Sequence, residues 1–89
     1  MRQQTCPVDV IAVYRANGDI CPLRFRMEDE NRQQFRVNID EVVSRKDINY
    51  IGAEAYVFLC RATVWEKRWT FELKYVIRTH TWSMLRTIS

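Results

Sequence analysis

From Thr70 to Ile77 the chain alternates apolar and polar positions. Phe71, Leu73, Tyr75 and Ile77 fall on one side, and Thr70, Glu72 and Lys74 on the other. Successive side chains take opposite faces only in a β-strand, so this stretch reads as a half-buried strand. The same period runs through Leu23 to Glu28 and through Phe35 to Asp40. Val8 to Tyr14 places Val8, Val10, Ala12 and Tyr14 on one face, and Ala55 to Val64 places Tyr56, Phe58, Cys60, Ala62 and Val64 on one face. The pattern predicts an all-β domain: a single small antiparallel meander of five or six strands, curled into a barrel or a strongly bent sheet.

The connections follow from turn chemistry. Asn17-Gly18 between two apolar runs is a strong hairpin signal, because both turn positions need φ > 0. Asp29-Glu30-Asn31 and Glu66-Lys67 read as further turns, and residues 44–54, which contain Gly52, as the longest loop. Ile39, Val42, Val43 and Lys46 fit helical spacing, with Asp40 as a cap. The preceding alternation and the Val-Val pair favour instead a strand continued through a bulge. Residues 82–85 read as a short last strand, either separate or the bent end of the strand before it.

Strand registers can be predicted, since a one-residue slip turns every core side chain outward. With Asn17-Gly18 as a two-residue turn, Leu23 opposes Ala12, Phe25 opposes Val10 and Arg26 opposes Asp9. In the second hairpin Phe25 opposes Phe35, Leu23 opposes Val37, Arg24 opposes Arg36 and Glu28 opposes Arg32. In the hairpin after residue 64, Cys60 opposes Leu73, Arg61 opposes Glu72, and Trp65 stands beside Arg68. The expected core is Val10, Leu23, Phe25, Val37, Phe58, Cys60, Phe71, Leu73 and Tyr75.

Length changes this picture little. Eighty-nine residues suit one domain, 1–89, with 1–6 expected as a flexible tail. The 47% hydrophobic fraction is rich enough for a core without a metal or disulfide staple. No run approaches the roughly 18 apolar residues of a membrane span, and Met1 to Pro7 lacks the apolar stretch of a signal peptide. Three cysteines at positions 6, 21 and 60 match no metal or redox spacing. The expectation is therefore a cytoplasmic protein in a reducing compartment, with no membrane, metal or cofactor requirement.

Net charge is +3, made from 11 Arg and 3 Lys against 11 acids. Arginine suits planar, bidentate partners such as phosphate or carboxylate; genomic base composition explains the same bias. For catalysis there is a single histidine, His80, read as structural, and the acids cluster at Glu28-Asp29-Glu30 and Asp40-Glu41 without a catalytic motif. Neither GxSxG, HExxH nor a glycine-rich phosphate loop occurs. A zinc site from Cys6, Cys21, Cys60 and His80 is disfavoured by the registers, which scatter the thiols. The expectation is not an enzyme.

Two binding surfaces remain. Arg24, Arg26 and Arg36 face outward together, and like charges directly opposite in a sheet are destabilising unless offset. With Trp65, Trp69 and Trp82 as stacking surfaces they would suit single-stranded nucleic acid, although the aromatic–glycine signature of RNA recognition motifs is absent. The other surface is apolar: Val57, Leu59 and Val76 face out if their neighbours face in, and Trp65 caps an edge. Such a patch suits a protein partner or a second copy. A non-catalytic protein-binding or self-associating β-module is the leading expectation, and a nucleic-acid-binding small β-barrel the alternative.

The stretches Pro22-Leu23-Arg24-Phe25-Arg26, Phe35-Arg36-Val37, Tyr56-Val57-Phe58-Leu59-Cys60 and Phe71-Glu72-Leu73-Lys74-Tyr75, ending in Trp82, are similar to small uncharacterised bacterial β-proteins. The likeness covers residues 8–85. It is a pattern of strands, so it implies an all-β fold and carries over no site residue.

Overall fold

A computed structural model describes residues 6–50 and 53–88. Among these residues there is no helix. Seven antiparallel strands form one sheet: β1 (Cys6–Pro7), β2 (Val10–Tyr14), β3 (Ile20–Glu28), β4 (Gln34–Tyr50), β5 (Ala53–Val64), β6 (Lys67–Val76) and β7 (Thr81–Ile88). The strand order is β1-β7-β6-β5-β4-β3-β2, so from β2 onward the chain is a meander. The sheet is strongly curled into a half-barrel. β1 and β2 lie at opposite ends of the order, yet only Val8 and Asp9 separate them. The Val8 N–H donates to the Trp82 carbonyl (3.3 Å), while the Arg26 N–H donates to the Asp9 carbonyl (3.0 Å). One short segment thus ties the β7 side of the sheet to the β3 side.

The expected all-β meander is present with seven strands rather than five or six. The first run divides at Val8-Asp9, and Cys6, placed in the expected tail, pairs with Met84. Residues 1–5 lie outside the described residues. The expected loop at 44–54 is instead the far half of β4 and the start of β5, paired from Ser44↔Leu59 to Tyr50↔Ala53. Two bulges in β4 explain its misleading spacing. The register shifts between Ile39 and Glu41 and again between Val42 and Ser44, leaving Asp40 and Val43 as extra residues. Each bulge turns a two-residue step into a three-residue step. Ile39, Val42 and Arg45 therefore share a face at a spacing that imitates a helix. The last strand is longer than expected and separate from β6. His80, at φ 57°, supplies the left-handed residue that closes its turn without Gly or Pro.

Turn length corrects the registers. Both of the first two hairpins close with three-residue tips. The Arg15 N–H donates to the Asp19 carbonyl (2.8 Å) and the Asp29 N–H to the Gln33 carbonyl (2.9 Å). The third tip residue is left-handed in each, Gly18 at φ 96° and Arg32 at φ 64°, which is the type I turn plus αL arrangement. Asp29 stabilises its tip by accepting the Asn31 and Gln33 N–H groups, each at 2.9 Å. The three-residue tip shifts the first hairpin by one, pairing Ala12 with Pro22 and Val13 with Cys21; a bulge then restores the expected Val10↔Phe25. Pro22 has no N–H to give a ladder, and beside a bulge it need not. Leu23 is the extra residue. It is 45% exposed instead of lying in the core, and Pro22 is buried in its place.

The second hairpin pairs Phe25 with Val37 and Met27 with Phe35, two residues away from the expected register but on the same faces. The β5–β6 hairpin pairs Cys60 with Phe71 and Val64 with Lys67, so Trp65-Glu66, not Glu66-Lys67, forms the turn. The core gathers Phe25, Val37, Phe58, Cys60, Ala62, Phe71, Leu73, Tyr75, Trp82 and Met84. Val10 packs against it half-buried. Phe25 and Phe71 meet edge to face with centroids 5.3 Å apart, a geometry that adds to simple area burial.

Candidate functional site

The three predicted arginines come together on the outer face of β3 and β4. Their positions follow from the pleat: Phe25, Met27 and Val37 point into the half-barrel, so residues 24, 26 and 36 point out. The corrected register places Arg26, not Arg24, directly opposite Arg36, and Arg24 opposite Asn38 and Ile11. All three line one open depression of about 320 Å³, with Asp9, Val10, Ile11 and Phe25 completing its wall. Asp9 is the single acid there. Its Oδ2 accepts from Arg26 Nη2 at 2.6 Å. Among the described residues Arg24 and Arg36 form no ion pair. None of the three tryptophans lines this depression, so the stacking surface expected beside the arginines is not adjacent to them.

The predicted apolar partner residues differ in exposure. Val57 is only 7% exposed, a correction to its expected outward display. Lys46 and Lys74 stand directly opposite it on either side, where long aliphatic stems cover a neighbour while the charges stay in water. Leu59 and Val76 are half-buried. Trp65 differs: it is 74% exposed at the tip between β5 and β6.

Around Trp65 lies a groove that the sequence reading missed. Met27, Phe35, Val64, Trp65, Trp69, Phe71 and Thr87 line a cavity of about 210 Å³ whose surface is almost entirely carbon. The Trp65 and Phe35 rings are 4.8 Å apart, and Lys67 Nζ sits 5.9 Å from the Trp69 ring. Trp65 and Glu66 both adopt positive φ, 50° and 68°. A two-residue tip needs left-handed backbone at both positions, which Asn-Gly supplies readily and a bulky side chain does not. The groove draws on β3, β4, β5, β6 and, through Thr87, β7, so the available signal was a surplus of large apolar residues at strand ends.

His80 is committed elsewhere. Its Nδ1 shares a 2.8 Å hydrogen bond with the Tyr75 hydroxyl. Burial, followed by the neighbouring Tyr14, raises the Tyr75 pKa above its ordinary 10.0. The Cys60 thiol is pushed up to about 12, first by burial and then by Cys21, so it stays an unreactive thiol near neutrality. Among the described residues no three His, Cys, Asp or Glu side chains gather as a metal-ligand set, and no helix is long and apolar enough to cross a membrane. The acids are spread over separate arginine pairs: Glu41 with Arg61 (3.8 Å) and Arg68 (3.7 Å), Asp47 with Arg45 (3.1 Å), and Glu72 with Arg86 (2.9 Å). No protein-family model matches the chain, and neither a curated protein nor a solved structure matches it.

Proposed function

We propose that this chain is a non-catalytic protein-binding module whose Trp65–Trp69 groove receives an apolar side chain from an acidic protein partner. The observation that carries this reading is Trp65 itself, 74% exposed over an apolar groove on a turn that is strained at both positions. Left-handed backbone costs roughly 1–2 kcal/mol per non-glycine residue, and leaving a large indole in water forgoes a further gain. A partner that covers the indole recovers that burial, and buried tryptophans are among the residues that dominate interface energies. The acidic character of the partner rests on charge complementarity: the chain carries +3 overall, and Lys67 Nζ lies 5.9 Å from the ring of Trp69, one of the groove's lining residues. A second copy would bring the same positive charge.

Peptides selected from a random library on the immobilised protein test this directly. The expected winners share one large apolar anchor flanked by acids, and their calorimetric affinity falls about 30-fold on Trp65→Ala. Affinity unchanged by Trp65→Ala rejects the groove. Sedimentation of the free protein separates the remaining occupant: a concentration-dependent dimer abolished by Trp65→Ala would assign the groove to a second copy instead.

A further inference from the structure

We infer that the depression formed by Arg24, Arg26 and Arg36 is a binding site for a dianionic phosphate group, as carried by a small phosphate monoester. This site is separate from the Trp65 groove and stands or falls independently of it. The sheet itself forces the charges together. Arg26 and Arg36 are direct cross-strand partners, where like charges destabilise, and Arg24 lies on the same face two residues along β3. Asp9 neutralises one of the three, leaving two positive charges in the depression. Two charges match a phosphate monoester above its second pKa, near 6.

Guanidinium chemistry points the same way. Its planar fork of donors matches phosphate oxygens in pairs, which a lysine cluster would not. The exposed Ile11 side chain, directly opposite Arg24, adds carbon to the wall on the arginine side. The depression is open and has a volume of about 320 Å³, room enough for a phosphate group against the guanidinium groups. Bases of a single strand would need aromatic platforms beside the phosphates, and no tryptophan lines this wall. A compact phosphorylated molecule fits the depression better than a polymer.

The test is an amide-resolved NMR titration of the intact chain with phenyl phosphate, with dimethyl phosphate as a monoanionic control and a thymidine oligonucleotide as a polymer. Phenyl phosphate is expected to saturate below about 10 mM, shifting amides of Ile11, Arg24, Arg26 and Arg36. Dimethyl phosphate should bind about 10-fold more weakly, and phenyl phosphate should weaken as pH falls through about 6. Two variants act in opposite directions, which a loss of folding cannot imitate. Arg36→Gln should weaken binding about 10-fold, and Asp9→Asn, which removes the one negative charge, should tighten it several-fold. No saturation at low salt, equal affinity for the monoanionic control, or weakening by Asp9→Asn overturns the proposal. Tighter binding of the oligonucleotide, with a steep salt dependence, would replace it with a nucleic-acid site.

Discussion

The two ends of the half-barrel use aromatic side chains in opposite ways. At the β6–β7 end Tyr75 is 2% exposed. Its ring meets Trp82 at 4.8 Å and both Tyr14 and Tyr56 at 6.4 Å, and its hydroxyl is bonded to His80. At the β5–β6 end Trp65 meets Phe35 and otherwise faces water. Both tips contain left-handed residues other than glycine. At His80 the strain is offset by a part-buried hydrogen bond to the Tyr75 hydroxyl. At Trp65 and Glu66 no side-chain hydrogen bond offsets it among the described residues. The first tip is a lock within the fold, and the second holds a surface in place.

The largest expected difference between the ends is in stability. Tyr75→Ala should cost about 3–5 kcal/mol, as for other buried aromatics, whereas Trp65→Ala should cost under about 1 kcal/mol. Urea melts of the two variants measure this, and equal losses would erase the distinction. His80→Ala comes next, at about 1 kcal/mol, because it removes one hydrogen bond from the part-buried Tyr75 hydroxyl, which Tyr14 also neighbours. A double-mutant cycle with Tyr75→Phe isolates that bond, and strictly additive losses would show that His80 acts through its backbone alone. Glu66→Gly should stabilise the protein by about 1 kcal/mol by relieving the left-handed strain. A destabilised Glu66→Gly would mean that the turn is unstrained.

The smallest effect is a pH dependence confined to alkali. Both Cys60 and Tyr75 have folded pKa values above their ordinary values, so the folded state holds its protons longer than the unfolded chain. Their contribution is complete below pH 9.0, where unfolded Cys60 begins to ionise, and Cys60's share is lost as pH rises towards about 12. The Tyr75 share falls only above its ordinary 10.0. Melts across this range should show a decline whose onset moves from about pH 9 to about pH 10 in Cys60→Ala. An unchanged onset would remove the buried thiol from this account.

Alternation alone made most of the strands and their faces legible, while β1 and the far half of β4 were read as tail and loop. Phe25, Val37, Phe58, Cys60, Phe71, Leu73 and Tyr75 are buried as their parity required. Leu23 failed because its face depended on a bulge created by a tip one residue longer than Asn17-Gly18 suggested. Val57 failed because parity reports direction and not cover, and its neighbours Lys46 and Lys74 come from other strands. The arginines were legible as a cluster, since the second register erred by an even number and kept their face. The Trp65 groove was illegible because its lining residues converge only once β3 to β7 are curled together.

What the amino-acid order determined by itself is the two-residue period and hence the β class, because side-chain alternation is a local steric property of an extended backbone. What only tertiary structure decided is register, bulge position and exposure. Register depends on where a turn closes its hydrogen bonds, and bulges depend on strain shared between neighbouring strands. Exposure depends on both and on what neighbouring strands bring alongside, which is why Leu23 at its bulge and Trp65 at its turn reach the surface while Val57, between Lys46 and Lys74, does not.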